Sequence, residues 1–166
     1  IAKRALGFDM RVIYHNRNRL AADIEQRLRA TYVSKDELLA QADFLVLQMP
    51  YSPQTHHLIG EAELGKMKPS AILINSTRGG VVDDAALVRA LKSGTIRAAG
   101  LDVYEGEPKL NSGFLELKNV VLAPHIGSST EATRRAMAMT AAKNAVAALT
   151  GGAPPNLLNP DAKSKA

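Results

Sequence analysis

The chain has 166 residues, 46% of them hydrophobic, and a formal net charge of +5. This length predicts a single globular domain with its own core, and no apolar run reaches the roughly 18 to 20 residues that a membrane span requires. Cysteine is absent, which excludes disulfides and cysteine-based zinc sites and favours a cytoplasmic location. The positive charges are spread along the chain, with one concentration at residues 11 to 19, and only 4% of residues are aromatic, so no nucleic-acid partner is predicted. The lack of a long apolar run predicts no membrane partner.

The first elements predicted along the chain are a helix, a strand and a second helix. IAKRAL opens without a start methionine and is typical of the latter half of a helix that ends at Gly7, so we expect chain to precede it. The run MRVIYH, residues 10 to 15, predicts a strand. Apolar residues spaced four apart predict a helix over residues 19 to 30.

The same alternation of helix and strand continues to the end of the chain. Ser34 and Glu37 form a capping-box pattern that opens a short helix before the apolar strand at 43 to 50. The other predicted elements are helices at 61 to 67 and 83 to 94, strands at 71 to 76, 96 to 103 and 119 to 124, and a long alanine-rich helix that begins at Ser128 with Glu131 and runs to Gly151. The alternation predicts an α/β fold: a Rossmann-like, doubly wound, mainly parallel sheet with helices on both faces, incomplete at its N-terminus.

Polar or turn-forming residues lie at the ends of all five predicted strands. In a parallel sheet of this kind, ligands bind outside the carboxyl ends of the strands, near a switch in strand order. The residues at these strand ends are Asn16 and Arg17, Met49 and Pro50, Thr77 and Arg78, Asp102, and His125. Their recurrence at successive strand ends predicts a single cleft.

Three ionisable residues are candidates for chemistry in that cleft: Arg78 in INSTRGG, Glu107 in YEGEP and His125 in APHIG. Arginine presents a planar fork that suits a carboxylate, histidine exchanges a proton near neutral pH, and glutamate can orient the imidazole. Together they suit an α-keto or α-hydroxy acid. Each also has a purely structural interpretation: a surface ion pair for Arg78, a turn for Glu107 and a helix cap for His125.

Two further features have structural explanations. Gly79 and Gly80 permit a close backbone approach, or a turn before the helix that starts near Asp83. His56 and His57 are adjacent, so they cannot share a helix face as an i, i+4 metal pair does. We therefore predict no metal site.

The segment HNRNR predicts the cofactor class. The glycine-rich GxGxxG turn of dinucleotide-binding domains is absent, but the residues that follow the next strand are present. An NAD-preferring site offers an acidic side chain there, whereas this chain has Asn16 and Arg17. Because a guanidinium binds a 2′-phosphate that a carboxylate would repel, NADP(H) is predicted as the preferred cofactor, with NAD(H) as an alternative.

Five motifs together resemble the D-isomer-specific 2-hydroxyacid dehydrogenases. They are HNR, PYSPQTHHLIG, INSTRGGVVDDAALVRAL, AAGLDVYEGEP and NVVLAPHIGSST. The resemblance covers roughly residues 1 to 160 and is greatest to the glyoxylate/hydroxypyruvate and 2-ketogluconate reductase branch. It implies an NAD(P)-dependent enzyme that prefers NADPH and reduces small 2-keto acids to D-2-hydroxy acids.

The resemblance also implies a role for each candidate residue. Arg78 would hold the substrate carboxylate, and His125 would give a proton to the carbonyl oxygen as hydride arrives from the nicotinamide. Glu107 would pair with His125 and favour its protonated form. Asp102 would hold the nicotinamide carboxamide. The implied cofactor-binding set is Asn16, Arg17, Asn18, Met49, Pro50, Thr55, Thr77, Asp102 and Gly127.

The resemblance divides the chain into a dinucleotide-binding domain at residues 1 to 126 and a C-terminal helix and tail at 127 to 166 that return towards a substrate domain. It implies a homodimer, and it predicts weak cofactor binding and little turnover for these 166 residues alone. Three alternatives stay open at this point: a corepressor-like module that senses nucleotides, a phosphoglycerate or formate dehydrogenase, and a phosphate-binding scaffold without catalysis.

Overall fold

The computed structural model describes residues 1 to 159, which fall into two compact units. The first unit is Ile1–His125, and the second begins at Ile126. The second unit contains one long helix, α6 (Glu131–Leu149). The end of the predicted C-terminal tail, from residue 160 to residue 166, lies outside the described residues.

The first unit alternates helices and strands as the sequence predicts. Its elements are α1 (Ala2–Ala5), β1 (Val12–Tyr14), α2 (Ala22–Leu28), β2 (Ala30–Tyr32), α3 (Lys35–Gln41), β3 (Phe44–Leu47), α4 (Glu61–Leu64), β4 (Ile72–Asn75), α5 (Asp84–Ser93), β5 (Ala98–Leu101) and β6 (Val120–Leu122). No helix within residues 1 to 159 is both long enough and apolar enough to cross a bilayer.

All strand pairs described in the structure are parallel. β1 pairs with β2 in a two-stranded sheet, and the other four strands form a second sheet in the order β3-β4-β5-β6. The last residues of these four strands are in register, so Leu47, Asn75, Leu101 and Leu122 form one row across the sheet. These parallel sheets with helices confirm the predicted Rossmann-like fold class. The shared register places the segments that follow each strand at one edge of the sheet.

The core lies around this second sheet. Leu47, Leu73 and Leu101 are buried on the strands, and Leu87 and Leu91 are buried on α5. Along β3, β4 and β5 fully buried residues alternate with half-buried or exposed ones, so the core packs chiefly against one face of this sheet. The paired strands give the loops at their carboxyl ends a common frame.

The capping box predicted for α3 and the helix end predicted at Gly94 are confirmed, and Asp83 caps the start of α5. The Ser34 Oγ accepts a hydrogen bond from the Glu37 N–H at 3.2 Å, and the Glu37 carboxylate accepts one from the Ser34 N–H at 2.8 Å, which completes the capping box of α3. The Asp83 carboxylate accepts from the Ala86 N–H at 2.9 Å at the start of α5. That helix ends at Gly94, whose φ of 73° is left-handed.

Two local predictions are wrong. The helix predicted over residues 19 to 30 ends at Leu28, because Arg29 turns left-handed (φ 47°) and Ala30–Tyr32 forms β2. Pairing with β1 outweighs the helical spacing in this short segment, where Thr31 and Tyr32 favour strand. In α6, the N-cap is Thr130 rather than Ser128, and the Thr130 Oγ1 accepts from the Thr133 N–H at 3.2 Å.

Candidate active site

A cleft of about 880 Å³ lies at the carboxyl ends of the strands in the larger sheet. Segments that follow β3, β4, β5 and β6 all contribute to its wall, as the register of the strand ends requires. The lining residues are Gln48, Met49, Pro50, Tyr51, His56, Ser76, Thr77, Arg78, Gly79, Gly80, Tyr104, Glu105, Gly106, Glu107 and His125. The structure therefore brings the three predicted catalytic residues, Arg78, Glu107 and His125, into one cleft.

The turn that carries Arg78 is ordered by a buried amide. Asn75, the last residue of β4, is only 2% exposed, and its Nδ2 donates to the Arg78 carbonyl oxygen at 3.1 Å. Its Oδ1 accepts from the Thr77 N–H at 3.1 Å and from the Thr77 hydroxyl at 2.9 Å. These hydrogen bonds satisfy both the oxygen and the nitrogen of the buried amide. Asn75 therefore stabilises the turn, and its burial does not leave an unpaired polar group.

The Arg78 side chain is exposed on the cleft wall. Its Nη1 donates to the Thr77 carbonyl oxygen at 2.7 Å, and within residues 1 to 159 no carboxylate forms an ion pair with it. The surface ion pair considered for this arginine is therefore absent from the described part of the chain. A guanidinium held by its own backbone retains donors for a planar anion.

Gly79 lets the turn after β4 touch the segment after β5. A β-carbon at Gly79 would overlap the Tyr104 carbonyl group and would lie 2.9 Å from the Glu105 nitrogen. The neighbouring Gly80 has a left-handed φ of 75° and packs against the Tyr51 ring. The close backbone approach predicted for this glycine pair is present, and it joins the two segments that carry Arg78 and Glu107.

Glu107 and His125 are hydrogen-bonded to each other inside the cleft. The His125 Nδ1 lies 2.8 Å from the Glu107 Oε2, and the Glu107 Oε1 accepts from the Tyr104 N–H at 2.9 Å. The hydrogen bond from His125 lowers the pKa of Glu107 and keeps this carboxylate charged. Because Nδ1 donates to the carboxylate, Nε2 is the ring atom that can transfer a proton.

Tyr104 fixes the segment that delivers His125. Its ring is buried, and its hydroxyl lies 2.7 Å from the Ala123 carbonyl oxygen and 3.2 Å from the Leu101 carbonyl oxygen. Ala123 comes directly after β6 and two residues before His125. Tyr104 therefore ties the end of β6 to the end of β5.

A second cluster of ionisable side chains lies beside the predicted catalytic residues. The His57 Nε2 lies 3.0 and 3.1 Å from the two carboxylate oxygens of Glu105, and the Glu105 N–H donates to the Asp84 Oδ2 at 3.0 Å. Asp84 is only 6% exposed, and burial raises its pKa to about 6.

The ligand atoms of His56, His57 and Glu105 lie within 4.8 Å of one another. The two imidazoles are stacked, however, with centroids 3.9 Å apart and an interplanar angle of 23°. Stacked rings direct their nitrogen lone pairs side by side instead of towards one point, which disfavours a shared ion. That no metal binds here stays a prediction.

The predicted cofactor residues lie in several places. Met49, Pro50 and Thr77 line the cleft. The Thr55 hydroxyl oxygen accepts from the Ser52 N–H at 2.7 Å and lies 3.0 Å from the Pro50 carbonyl oxygen, so it shapes the turn after β3 without lining the cleft.

Asp102 lies directly after β5, and its N–H donates to the Asn75 carbonyl oxygen at 3.0 Å. Gly127 belongs to the second unit, whereas the cleft is formed by the first. The cofactor roles predicted for these two residues stay predictions.

Asn16, Arg17 and Asn18 are exposed after β1, in the smaller sheet. Arg19 is already engaged: its Nε and Nη2 donate to the two carboxylate oxygens of Glu25, each at 2.8 Å. Within residues 1 to 159, no ion pair or side-chain hydrogen bond engages Arg17. Of these two arginines, Arg17 is thus the one with its guanidinium available to an anion.

The sequence predictions assigned no site role to five residues whose hydrogen bonds surround the predicted catalytic groups: Asn75, Tyr104, Asp84, and the pair His57 and Glu105. The one signal for Asn75 is a polar residue that closes the apolar run ILIN. The others make contacts between segments far apart in the chain. His57 and Glu105, for example, are 48 positions apart. No local pattern could have predicted those pairs.

Comparison with known proteins gives a consistent result. Residues 1 to 127 match the family model described as D-isomer specific 2-hydroxyacid dehydrogenase, NAD binding domain. A glyoxylate reductase from Thermococcus litoralis is 52% identical over 161 residues, which cover 97% of this chain and 48% of the relative. A glyoxylate/hydroxypyruvate reductase B from Erwinia tasmaniensis is 52% identical over 162 residues, covering 96% of this chain and 50% of the relative.

A solved structure is similar as well. It is an NADPH-dependent glyoxylate/hydroxypyruvate reductase from Sinorhizobium meliloti in complex with NADP and malonate. The TM-score is 0.81 at 35% identity, over 90% of this chain and 46% of that one. The chain spans about half the length of the curated relatives it matches.

Proposed function

This chain belongs to the D-isomer specific 2-hydroxyacid dehydrogenase family through its NAD binding domain, and we propose that the complete protein reduces small 2-keto acids to D-2-hydroxy acids. The family resemblance predicted from the motifs is thereby confirmed. Glyoxylate and hydroxypyruvate are the proposed substrates, because relatives that are 52% identical carry those names. 2-Ketogluconate is a further proposed substrate.

One observation carries the proposal: an exposed arginine and a glutamate-bound histidine occupy the same cleft. The arrangement fits a carboxylate next to a carbonyl group, since Arg78 offers a fork of donors and His125 offers one proton. The cleft also has the position that a dinucleotide takes in this fold, at the carboxyl ends of parallel strands. The residues present therefore fit a nicotinamide cofactor.

In the proposed mechanism, Arg78 binds the substrate carboxylate and orients the keto group. A bound nicotinamide cofactor supplies the hydride. His125 gives the proton on Nε2 to the carbonyl oxygen while Nδ1 stays hydrogen-bonded to Glu107. Glu107 remains ionised, because its pKa is lowered by that bond, and stabilises the charged imidazole before transfer.

The test is an absorbance assay at the nicotinamide band with the complete polypeptide. NADPH or NADH is supplied with glyoxylate, hydroxypyruvate, pyruvate or 2-ketogluconate. Consumption of a cofactor with a small keto acid is the expected result. Cofactor binding without consumption in any combination would refute the reductase and favour the nucleotide-sensing module.

We also propose that NADPH is preferred over NADH. Arg17 supports this preference because its guanidinium is unengaged, whereas Arg19 is held by Glu25. Arg17→Asp should lower the ratio of kcat/KM for NADPH to that for NADH by roughly 10- to 100-fold, the value of a charged hydrogen bond. Arg11→Asp, with the same change in charge at an arginine bonded to Gln41, is the control. An unchanged ratio in Arg17→Asp would refute the assignment.

Other features of the whole protein belong to the same proposal. Residues 1 to 126 would act as the dinucleotide-binding domain, and the segment from 127 onward would return to a substrate domain. A homodimer and a cytoplasmic location complete the proposal. Light scattering on the complete protein would test the dimer directly.

A further inference from the structure

Glu107, the glutamate of the proposed mechanism, lies on a short loop that several hydrogen bonds hold in place. We call residues 104 to 107, which follow β5, the Glu107 loop. Its first residue is Tyr104, whose hydroxyl donates to the Ala123 carbonyl oxygen and whose N–H donates to the Glu107 carboxylate. Its second residue, Glu105, makes contacts with two other segments that the proposed mechanism does not use.

Glu105 is held on its side chain by His57. The imidazole Nε2 lies 3.0 and 3.1 Å from the two carboxylate oxygens. His57 is itself fixed by its backbone, since its N–H donates to the Gly80 carbonyl oxygen at 2.8 Å and its φ of 49° is left-handed. Gly80 lies two residues after Arg78, so His57 connects the Arg78 turn to the Glu107 loop.

Glu105 is held on its backbone by Asp84. The Asp84 Oδ2 accepts from the Glu105 N–H at 3.0 Å, and this carboxylate is buried at the first residue of α5. A buried acceptor on the frame of the fold limits how far the loop can move. Glu105 is therefore clamped from two directions, two residues before Glu107.

We infer that His57, through Glu105, is a positioning residue that sets the Glu107 loop against the Arg78 turn and thereby aims His125 at the bound keto group. This inference rests on the proposed function. The spacing between a carboxylate anchor and a proton donor must match the substrate closely, because misplacement of about 1 Å can cost up to roughly 100-fold in rate. The His57–Glu105 hydrogen bond would fix this spacing without contacting the substrate.

The test compares variants of the complete protein that break this hydrogen bond with one that keeps it. His57→Leu and Glu105→Leu remove the hydrogen bond, whereas His57→Gln keeps an amide donor at the position of Nε2. Glu116→Leu is the matched control, since it removes one glutamate and one ion pair, with Lys92, outside the cleft. Steady-state kcat and KM for the keto acid are measured for each.

We expect both leucine variants to lower kcat by about 10- to 100-fold, because the proton donor is displaced. KM for the keto acid should change by less than about threefold, since Arg78 still binds the carboxylate. His57→Gln should keep kcat within about threefold of the parent protein, because it preserves the bond. Leucine variants with the kcat of Glu116→Leu would overturn the inference, as would equal losses in His57→Leu and His57→Gln.

A spectroscopic measurement separates failure of this inference from failure of the proposed function. The Nδ1–H proton of His125 is hydrogen-bonded to Glu107 and should therefore give a downfield resonance in the NMR spectrum of the complete protein. The leucine variants should lose this resonance, and His57→Gln and Glu116→Leu should retain it. If the parent protein reduces no keto acid, the proposed function fails, yet loss of the resonance still supports the positioning role and its persistence overturns it.

Discussion

His125 has a φ of 54°, in the left-handed region that residues with a β-carbon disfavour. Such a conformation persists only where surrounding contacts determine it. Here the contacts are the 2.8 Å bond to Glu107 and the link between Tyr104 and Ala123 just before it. The left-handed backbone and the hydrogen bond to Glu107 occur at the same residue, which is the residue proposed to transfer the proton.

We predict that His125→Ala lowers kcat by about 10²- to 10⁴-fold, because a general acid contributes that much to a rate. The side chain is 45% exposed, so the free energy of unfolding should change by less than about 1 kcal/mol. Steady-state kinetics and urea unfolding of the complete protein measure the two effects. A kcat within threefold of the parent protein would exclude His125 as the acid.

Gly79 is the residue at which the segments that carry Arg78 and Glu107 touch. Gly79→Ala should destabilise the protein by about 1 to 3 kcal/mol, because the new methyl group must displace the backbone of Tyr104. Gly65→Ala is the control, since its nearest neighbour, the Glu61 carbonyl oxygen, would be 3.4 Å away in ordinary contact. Equal unfolding midpoints for the two variants in urea would contradict the close approach.

At the scale of elements, the start of α5 combines two carboxylates with different tasks. Asp83 caps the helix through the Ala86 N–H, whereas Asp84 is buried and bonds to the next loop. A helix N-terminus favours a negative charge, yet burial dominates and raises the pKa of Asp84 to about 6. Asp84 therefore binds its proton more tightly in the folded state than in the unfolded state. Its contribution to the free energy of unfolding is greatest at low pH and is lost as pH rises through about 6.

We predict that Asp84→Asn stabilises the protein at pH 8 by about 1 to 3 kcal/mol, because the amide keeps an acceptor for Glu105 and removes the buried charge. The gain should disappear below about pH 4, where the aspartate is protonated in the folded and unfolded states alike. Urea unfolding at both pH values measures it, and Asp83→Asn, which keeps an N-cap acceptor, is the control. A gain independent of pH would contradict the raised pKa.

At the scale of the whole molecule, charged hydrogen bonds tie separate elements together. Glu25 on α2 accepts from Arg19 and from the Tyr14 hydroxyl on β1, and the Arg19 bond above all lowers the pKa of Glu25 to about 2. Hydrogen bonds lower the pKa of other carboxylates in the same way: Asp36, Glu37, Glu107 and Glu116.

Because these folded-state pKa values are depressed, their stabilisation is present above about pH 5 and is lost as pH falls through the folded values. We predict that the free energy of unfolding falls between about pH 5 and pH 2, although Asp84 acts in the opposite direction. Urea unfolding as a function of pH measures the slope, and Glu25→Gln should reduce it. A flat profile would show that these bonds contribute little.

The sequence by itself determined the fold class and the three residues proposed for catalysis. Apolar runs predict the strands of a parallel sheet. The motifs that contain Arg78, Glu107 and His125 are short stretches of sequence, so they can be recognised without knowledge of the fold. The tertiary structure decided what the motifs could not: that Ala30–Tyr32 is a strand, that Thr130 caps α6, that Asn75 and Tyr104 order the segments carrying the predicted catalytic residues, and that His57 binds Glu105. These features depend on pairing between distant segments, and the free energy of such a pair depends on the position of both partners, which only the folded chain specifies.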